Sequence, residues 1–318
     1  MARDTSSGRS APAERFAWRD FLRHVSAAGV LILCLGLLCG VLLGVRPLEA
    51  RAAALAGLRA PAITIHWPPL PDATGTWLPR DEQERLTRLA SDAAGGDETP
   101  YSPASLERIS RALFATGWFA DYPTVRRTSP GALQVRGTWR IPAAVIRTEG
   151  RDHLVSWDAM PLPPAYDPGA STMPVILSPA KGPPRAANGE RTFTTPWQGS
   201  DVGAALELLA TLSGQPWANQ VAGIDLARYR DEEVLLIATR TGSRIVWGGR
   251  PSAPRSGEVS TRQKLLHLSQ LQQDFKRIDA GYPLIYINTA RLQLDTSATA
   301  ASNAAPPTAP VTARPGAR

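Results

Sequence analysis

The sequence predicts an α+β protein: one apolar span near the start, then two blocks in which helical and alternating strand patterns are mixed. Three observations carry this. Val25–Val45 is a run of 21 uncharged, mostly apolar residues. Between about 60 and 141 the patterns follow the order strand, helix, helix, strand, strand. From about 142 to 294 short alternating strands dominate, interrupted by two amphipathic helical stretches. The expected division is 1–24 polar tail, 25–45 transmembrane helix, 46–59 juxtamembrane linker, 60–141 first folded domain, 142–294 mostly antiparallel β domain with two helices, and 295–318 flexible tail.

The apolar run comes first because its length decides its reading. As a helix rising ~1.5 Å per residue it reaches roughly 31 Å, the thickness of a hydrocarbon core. A cleaved signal peptide needs an apolar stretch of only ~7–15 residues, and this run is longer, which favours an uncleaved anchor. Arg9, Arg15, Arg19 and Arg23 precede it, and Arg46, Arg51 and Arg59 follow. The small excess before the span favours a cytoplasmic N-terminus and an extracytoplasmic bulk. Gly36, Gly40 and Gly44 recur every fourth residue, a smooth stripe on which another membrane helix can pack closely.

In the first block, Ile63–Ile65 alternates as a strand, and Asp81–Ala94 reads as a short helix with Leu86 and Leu89 inward. Ser102 can cap the next helix, Pro103 suits its first position and Gly117 its end. Leu106, Ile109 and Leu113 form its buried stripe. Two strands flank Ser129-Pro130-Gly131, a type II turn signal. In the second block, Glu149-Gly150 separates strand patterns at 143–148 and 153–156. A proline-rich connection leads to a helix carrying Val202, Leu206, Leu209 and Leu212. Strands follow at 224–226, 234–240 and 244–247, then a helix over 258–275 with Leu265, Leu268, Leu271 and Phe275 inward. Leu284–Asn288 and Arg291–Leu294 supply the last strands.

Charge and composition exclude several functions. Lys and Arg total 35 against 28 Asp and Glu, a net +7, yet only three are lysines and no basic run of five occurs. Scattered arginines argue against a nucleic-acid interface. Both cysteines, Cys34 and Cys39, fall inside the apolar run, so no disulfide scaffold or cysteine-based zinc site is expected outside it. No nucleophile elbow, phosphate loop or H-E-x-x-H motif is present. His24, His66, His153 and His267 lie in separate segments without ligand spacing and read as surface or interface residues. Asp231-Glu232-Glu233 reads as a solvated turn. Trp118, Trp139, Trp157 and Trp247 fall in patterned elements and read as core.

Several short motifs, in order, resemble the bacterial cell-division family FtsQ, also called DivIB. RTSPGALQVRGTWRIPAA resembles the family's R-x-x-P-x-x-L-x-V…E-R-x-P-x-A stretch through Arg127, Pro130, Leu133, Val135, Arg140, Pro142 and Ala144, with Trp139 in place of Glu. HLVSWDAMPL resembles its strand and Asp-x-Gly turn, with Asp158-Ala159 in place of Asp-Gly. MPVILSP, RTGSRIVWGG, Lys264-Leu265…Leu268 and Ile278-Asp279 match further segments, although Gly281 stands where that last motif has arginine. The resemblance covers about 20–290. It implies a single-pass protein of the bacterial inner membrane, found at the division septum. A POTRA domain (β-α-α-β-β) would occupy 60–141 and an FtsQ-type β domain 142–294. The implied role is that of a scaffold without catalysis, cofactor or metal, recruiting FtsB, FtsL and the septal peptidoglycan synthase pair FtsW and FtsI.

Two contact regions are expected. A terminal strand can lie at a sheet edge and accept a partner strand through main-chain hydrogen bonds. That makes Tyr286, Asn288, Arg291 and Gln293 candidates, and the family's capture of FtsB by its C-terminal strand region points to the same place. Arg126 and Arg127 are the second candidate surface. The rival readings are a POTRA-bearing envelope assembly or secretion accessory protein and, more remotely, an envelope glycan-acting enzyme.

Overall fold

The computed structural model describes residues 61–70, 74–95, 102–129 and 131–295. The apolar run at 25–45 with Gly36, Gly40 and Gly44, the residues on either side of it through 60, and the tail beyond 295 lie outside the described residues. Among the described residues no helix is long and apolar enough to cross a membrane.

The protein is α+β. The first unit runs β1 (Ala62–Ile65), α1 (Arg80–Ala94), α2 (Pro103–Ala115), β2 (Thr124–Ser129) and β3 (Ala132–Arg136). Its sheet has the order β1-β3-β2, with β1 parallel and β2 antiparallel to β3. The Ser102 side chain accepts a hydrogen bond from the Ser105 amide, and Pro103 opens α2. Gly117, just past its end, has φ +85°, and a Cβ there would meet the Phe193 Cβ at 2.6 Å. Conformation and close approach therefore both require glycine. Leu86, Ile109, Leu113, Leu133 and Val135 fill the space between helices and sheet.

The second unit is a nine-stranded sheet: β4 (Pro142–Thr148), β5 (Arg151–Ser156), β6 (Pro161–Tyr166), β7 (Val175–Leu177), β8 (Val221–Asp225), β9 (Leu235–Thr239), β10 (Arg244–Gly248), β11 (Leu284–Tyr286) and β12 (Gln293–Asp295). Its helices are α3 (Ser200–Ser213), the single-turn α4 (Tyr229–Glu232) and α5 (Thr261–Phe275). The strand order is β12-β11-β10-β9-β8-β7-β4-β5-β6.

The sheet is mixed: five of its eight strand pairs are antiparallel, and β4–β7, β7–β8 and β10–β11 pair in parallel. Two of these pairs follow from crossovers: α3 lies between β7 and β8 in the chain, and α5 between β10 and β11. A helix-bearing crossover returns the chain in the same direction. The proline-rich connection holds β6 and β7, which the proline count conceals. β6 tolerates Pro161, Pro163 and Pro164 because it lies at the sheet edge, where missing amides break fewer ladder bonds.

One cross-strand row traverses the sheet: Ala165, His153, Ile146, Ile176, Ile224, Ile237, Ile245, Ile285 and Leu294. The isoleucines are fully buried in a core shared with Val202, Leu208, Leu268 and Leu271 of α3 and α5. On the opposite face, Val145, Leu154 and Leu162 join the core of the first unit. Farther along that face, Val234, Leu236 and Val246 form a small cluster with Leu284 and Tyr286.

Several side chains depart from expectation. Phe275 is 52% exposed, because α5 turns Lys264, His267, Leu268 and Leu271 inward and Phe275 is its last residue. Trp157, just past β5, is 44% exposed rather than core. His153 and His267 are buried rather than on the surface.

Candidate partner-binding edges

β12 and β6 are the two edges of the large sheet, and they differ chemically. Three of the six residues of β6 are prolines and offer no amide to an incoming strand. Gln293, Leu294 and Asp295 of β12 all retain theirs. β12 stands last in the strand order, with β11 as its neighbour. The blocked edge resists strand addition and the open one permits it.

The four predicted residues at this edge do not all meet. Tyr286 and Gln293 stand in register across β11 and β12. Tyr286 is half-buried against the Val246 cluster, while Gln293 is exposed. Asn288 turns toward the start of α5: its carbonyl accepts from the Val259 amide (3.0 Å), and its buried Oδ1 finds no hydrogen-bond partner. Arg291 is exposed in the β11–β12 loop, since the strand begins at Gln293. Leu294, which sequence reasoning passed over, is 38% exposed at the end of the isoleucine row. Its alternation with Gln293 was the available signal.

Three buried polar contacts lie around α5 and the chain on either side of β11. Lys264 of α5 is fully buried, and its Nζ lies 2.7 Å from Glu258 and 5.0 Å from the Trp247 ring centroid. Glu258 also accepts the Gly249 amide at 3.1 Å. Burial pushes the Lys264 ammonium below the usual lysine range, and the Glu258 hydrogen bond opposes that shift. His267 Nδ1 lies 3.3 Å from the Ile287 carbonyl and so ties α5 to the chain after β11. Asp279 accepts hydrogen bonds from both Arg277 nitrogens (2.8 and 3.0 Å), the Gly281 amide (3.1 Å) and the Thr241 hydroxyl. Burial alone would raise its carboxyl, but these donors outweigh it and hold it well below the carboxylate range. Arg277 thus supplies the guanidinium, and Gly281 adopts φ +81°.

Arg126 and Arg127 lie on β2, an edge of the other sheet, and both are exposed. Arg127 is in register with buried Leu133, whereas Arg126 is in register with Gln134 on the solvent face. The motif residue Arg140 is structural. Its guanidinium, 8% exposed, bonds the carbonyls of Gly117 (3.0 Å), Phe119 and Ala120 (3.3 Å) in the first unit and Asp158 (2.9 Å) in the second. Ala159 beside it holds φ +58°. Trp139 donates to the His66 carbonyl (3.0 Å) and packs 4.2 Å from Phe119 and 5.8 Å from Trp67, centroid to centroid.

Asp231, Glu232 and Glu233 are exposed, with Glu232 paired to Arg228. Among the described residues no group of three His, Cys, Asp or Glu is placed to hold a metal ion. A half-open apolar groove of about 300 Å³ lies between Trp157, Leu209, Leu212 and Val221. A scan against protein-family models finds no match, and a search of curated proteins finds no relative.

Proposed function

We propose that the chain is a non-enzymatic scaffold of the bacterial divisome of FtsQ type. It is anchored in the inner membrane by residues 25–45, with its N-terminus cytoplasmic and its bulk extracytoplasmic, and it works at the division septum. The observation that carries this reading is the open β12 edge at the C-terminal end of the sheet, opposite an edge closed by prolines. A strand at a sheet edge gives affinity through backbone hydrogen bonds without catalytic groups, which suits a recruiter of FtsB- and FtsL-like membrane partners and, through them, of a septal peptidoglycan synthase. The β-α-α-β-β order of the first unit supports its reading as a POTRA domain, and the second unit is then the FtsQ-type β domain.

The motif residues support the same reading. Arg140 joins the two units, Lys264 pairs with Glu258 beside Trp247, and Asp279 ties the chain before β11 to the β9–β10 turn. Gly36, Gly40 and Gly44 would let the anchor pack on a partner's membrane helix. A fluorescent fusion is expected at midcell, and depletion is expected to give filaments. Uniform envelope fluorescence with normal division would refute the proposal.

A further inference from the structure

The loop at 181–197, between β7 and α3, packs against the β4–β5 hairpin and covers a cluster that strand capture does not use. His153 of β5 lies beneath it, 4% exposed, with the Trp197 ring 6.2 Å away, centroid to centroid. Both ring nitrogens are buried, and neither meets a hydrogen-bond partner among the described residues. The Thr148 carbonyl faces the ring outside hydrogen-bond geometry. Arg191 of the loop is in the same condition. Its Nε and Nη2 are buried without a partner, and its guanidinium lies 5.1 Å from the Phe193 ring centroid. Those two nitrogens form one edge of the guanidinium, a fork that matches a carboxylate or phosphate. The same edge of Arg147 grips both oxygens of Asp152 (2.7 and 2.9 Å) on this hairpin.

The neighbouring charges leave this fork free. Arg191, Glu149 and Arg151 act on His153, and Arg185, Glu149 and Arg151 act on Arg191. Glu149 is taken by Arg185 (2.7 Å) and Arg151 by Asp167 (3.3 Å). Burial first, and the Arg191 charge second, hold the His153 imidazole below the usual histidine range. Buried polar groups in this state cost stability until something pairs with them.

We propose that the Arg191 fork and the His153 imidazole are two sides of a binding site for a small soluble oxyanion, a carboxylate or a phosphate, closed over by the 181–197 loop. The fork supplies two parallel N–H donors, and the imidazole supplies a third from its protonated nitrogen. Trp197 and Phe193 add apolar walls, so the anion meets these donors away from water, where each contact is stronger. Entry runs past the Arg185–Glu149 pair. Both side chains are about half exposed, and an exposed pair contributes little, so the loop opens at low cost. The site is independent of strand capture at β12.

The test uses the full-length chain in a zwitterionic detergent, with isotope-labelled histidine read by NMR. The His153 signal is assigned by its loss in His153→Gln. Inorganic phosphate and acetate, titrated at constant ionic strength, are expected to shift it saturably. They are also expected to raise its titration midpoint, since a bound anion favours the imidazolium. Chloride is expected to leave it unmoved. Arg191→Gln should weaken binding at least about tenfold, because it removes a charge-assisted bidentate contact. Arg191→Lys keeps the charge without the fork and should fall between. Glu149→Gln removes the carboxylate that acts on both groups and should tighten binding about threefold, a gain that a misfolded variant cannot give. The proposal is overturned by an equal shift with chloride, by the absence of saturation with both anions, or by unchanged affinity in Arg191→Gln. A response to phosphatidylglycerol nanodiscs without one to either free anion would overturn it in favour of a lipid headgroup.

Discussion

Lys264→Met is the most informative single substitution in the large sheet. The lysine is fully buried, its Glu258 partner is 5% exposed, and their charged atoms lie 2.7 Å apart. Methionine keeps the length of the stem but removes the cation, leaving Glu258 with the Gly249 amide as its donor. Breaking a buried pair from one side costs about 3–5 kcal/mol, whereas replacing both partners by groups of similar volume is close to neutral. Lys264→Met should therefore destabilise by about 3 kcal/mol. A fold of this size loses roughly 2–4 °C of Tm per kcal/mol, which makes the drop about 6–12 °C. Glu258→Gln/Lys264→Met should recover much of that loss. Urea unfolding followed by tryptophan fluorescence reads the change close to the site, since Trp247 lies beneath the ammonium. A loss below about 1 kcal/mol, or a double variant whose cost equals the sum of the singles, would refute a stabilising Lys264–Glu258 pair.

Other outcomes follow from the same geometry. Ala159→Gly removes a Cβ from a left-handed backbone position (φ +58°) and should raise stability by about 0.5–1 kcal/mol in the same urea titration. Gly117→Ala puts a Cβ at φ +85° and 2.6 Å from the Phe193 Cβ, and should cost at least about 2 kcal/mol, read as a lower urea midpoint. Asp152 is held below the carboxylate range chiefly by its hydrogen bond from Arg147, and Asp279 is held low by the donors around it. Their folded values lie below the unfolded ~3.9, so their stabilisation is full above that value and is lost as the pH falls toward the folded ones. Thermal melts should therefore show Tm declining from about pH 5 to pH 3, less steeply for Asp279→Asn.

The sequence carried much of this fold where local chemistry is decisive. Ser102, Pro103 and Gly117 bracket α2, and Glu149-Gly150 turns β4 into β5. Long-range pairing was harder to see. Nothing local distinguishes the parallel β7–β8 and β10–β11 pairs from antiparallel ones, since only the crossover of the intervening helix sets direction. β6 was hidden because a strand with three prolines is possible only at an edge, and edge position is a property of the whole sheet. Lys264 reads as a surface residue until Glu258 and Trp247 are brought to it. At the candidate site, the terminal position of β12 was legible from its place in the chain. The inward turn of Asn288 and the closure of the opposite edge were not.

Capture of a partner strand at β12 is tested most directly by photo-crosslinking in cells. A crosslinker at Gln293 on the open edge is expected to trap a small membrane protein of the division machinery. The same group at Pro163 on the proline-closed β6 edge is expected to trap none. Trapping at position 163 with none at 293, or equal trapping at both, would contradict strand capture at β12.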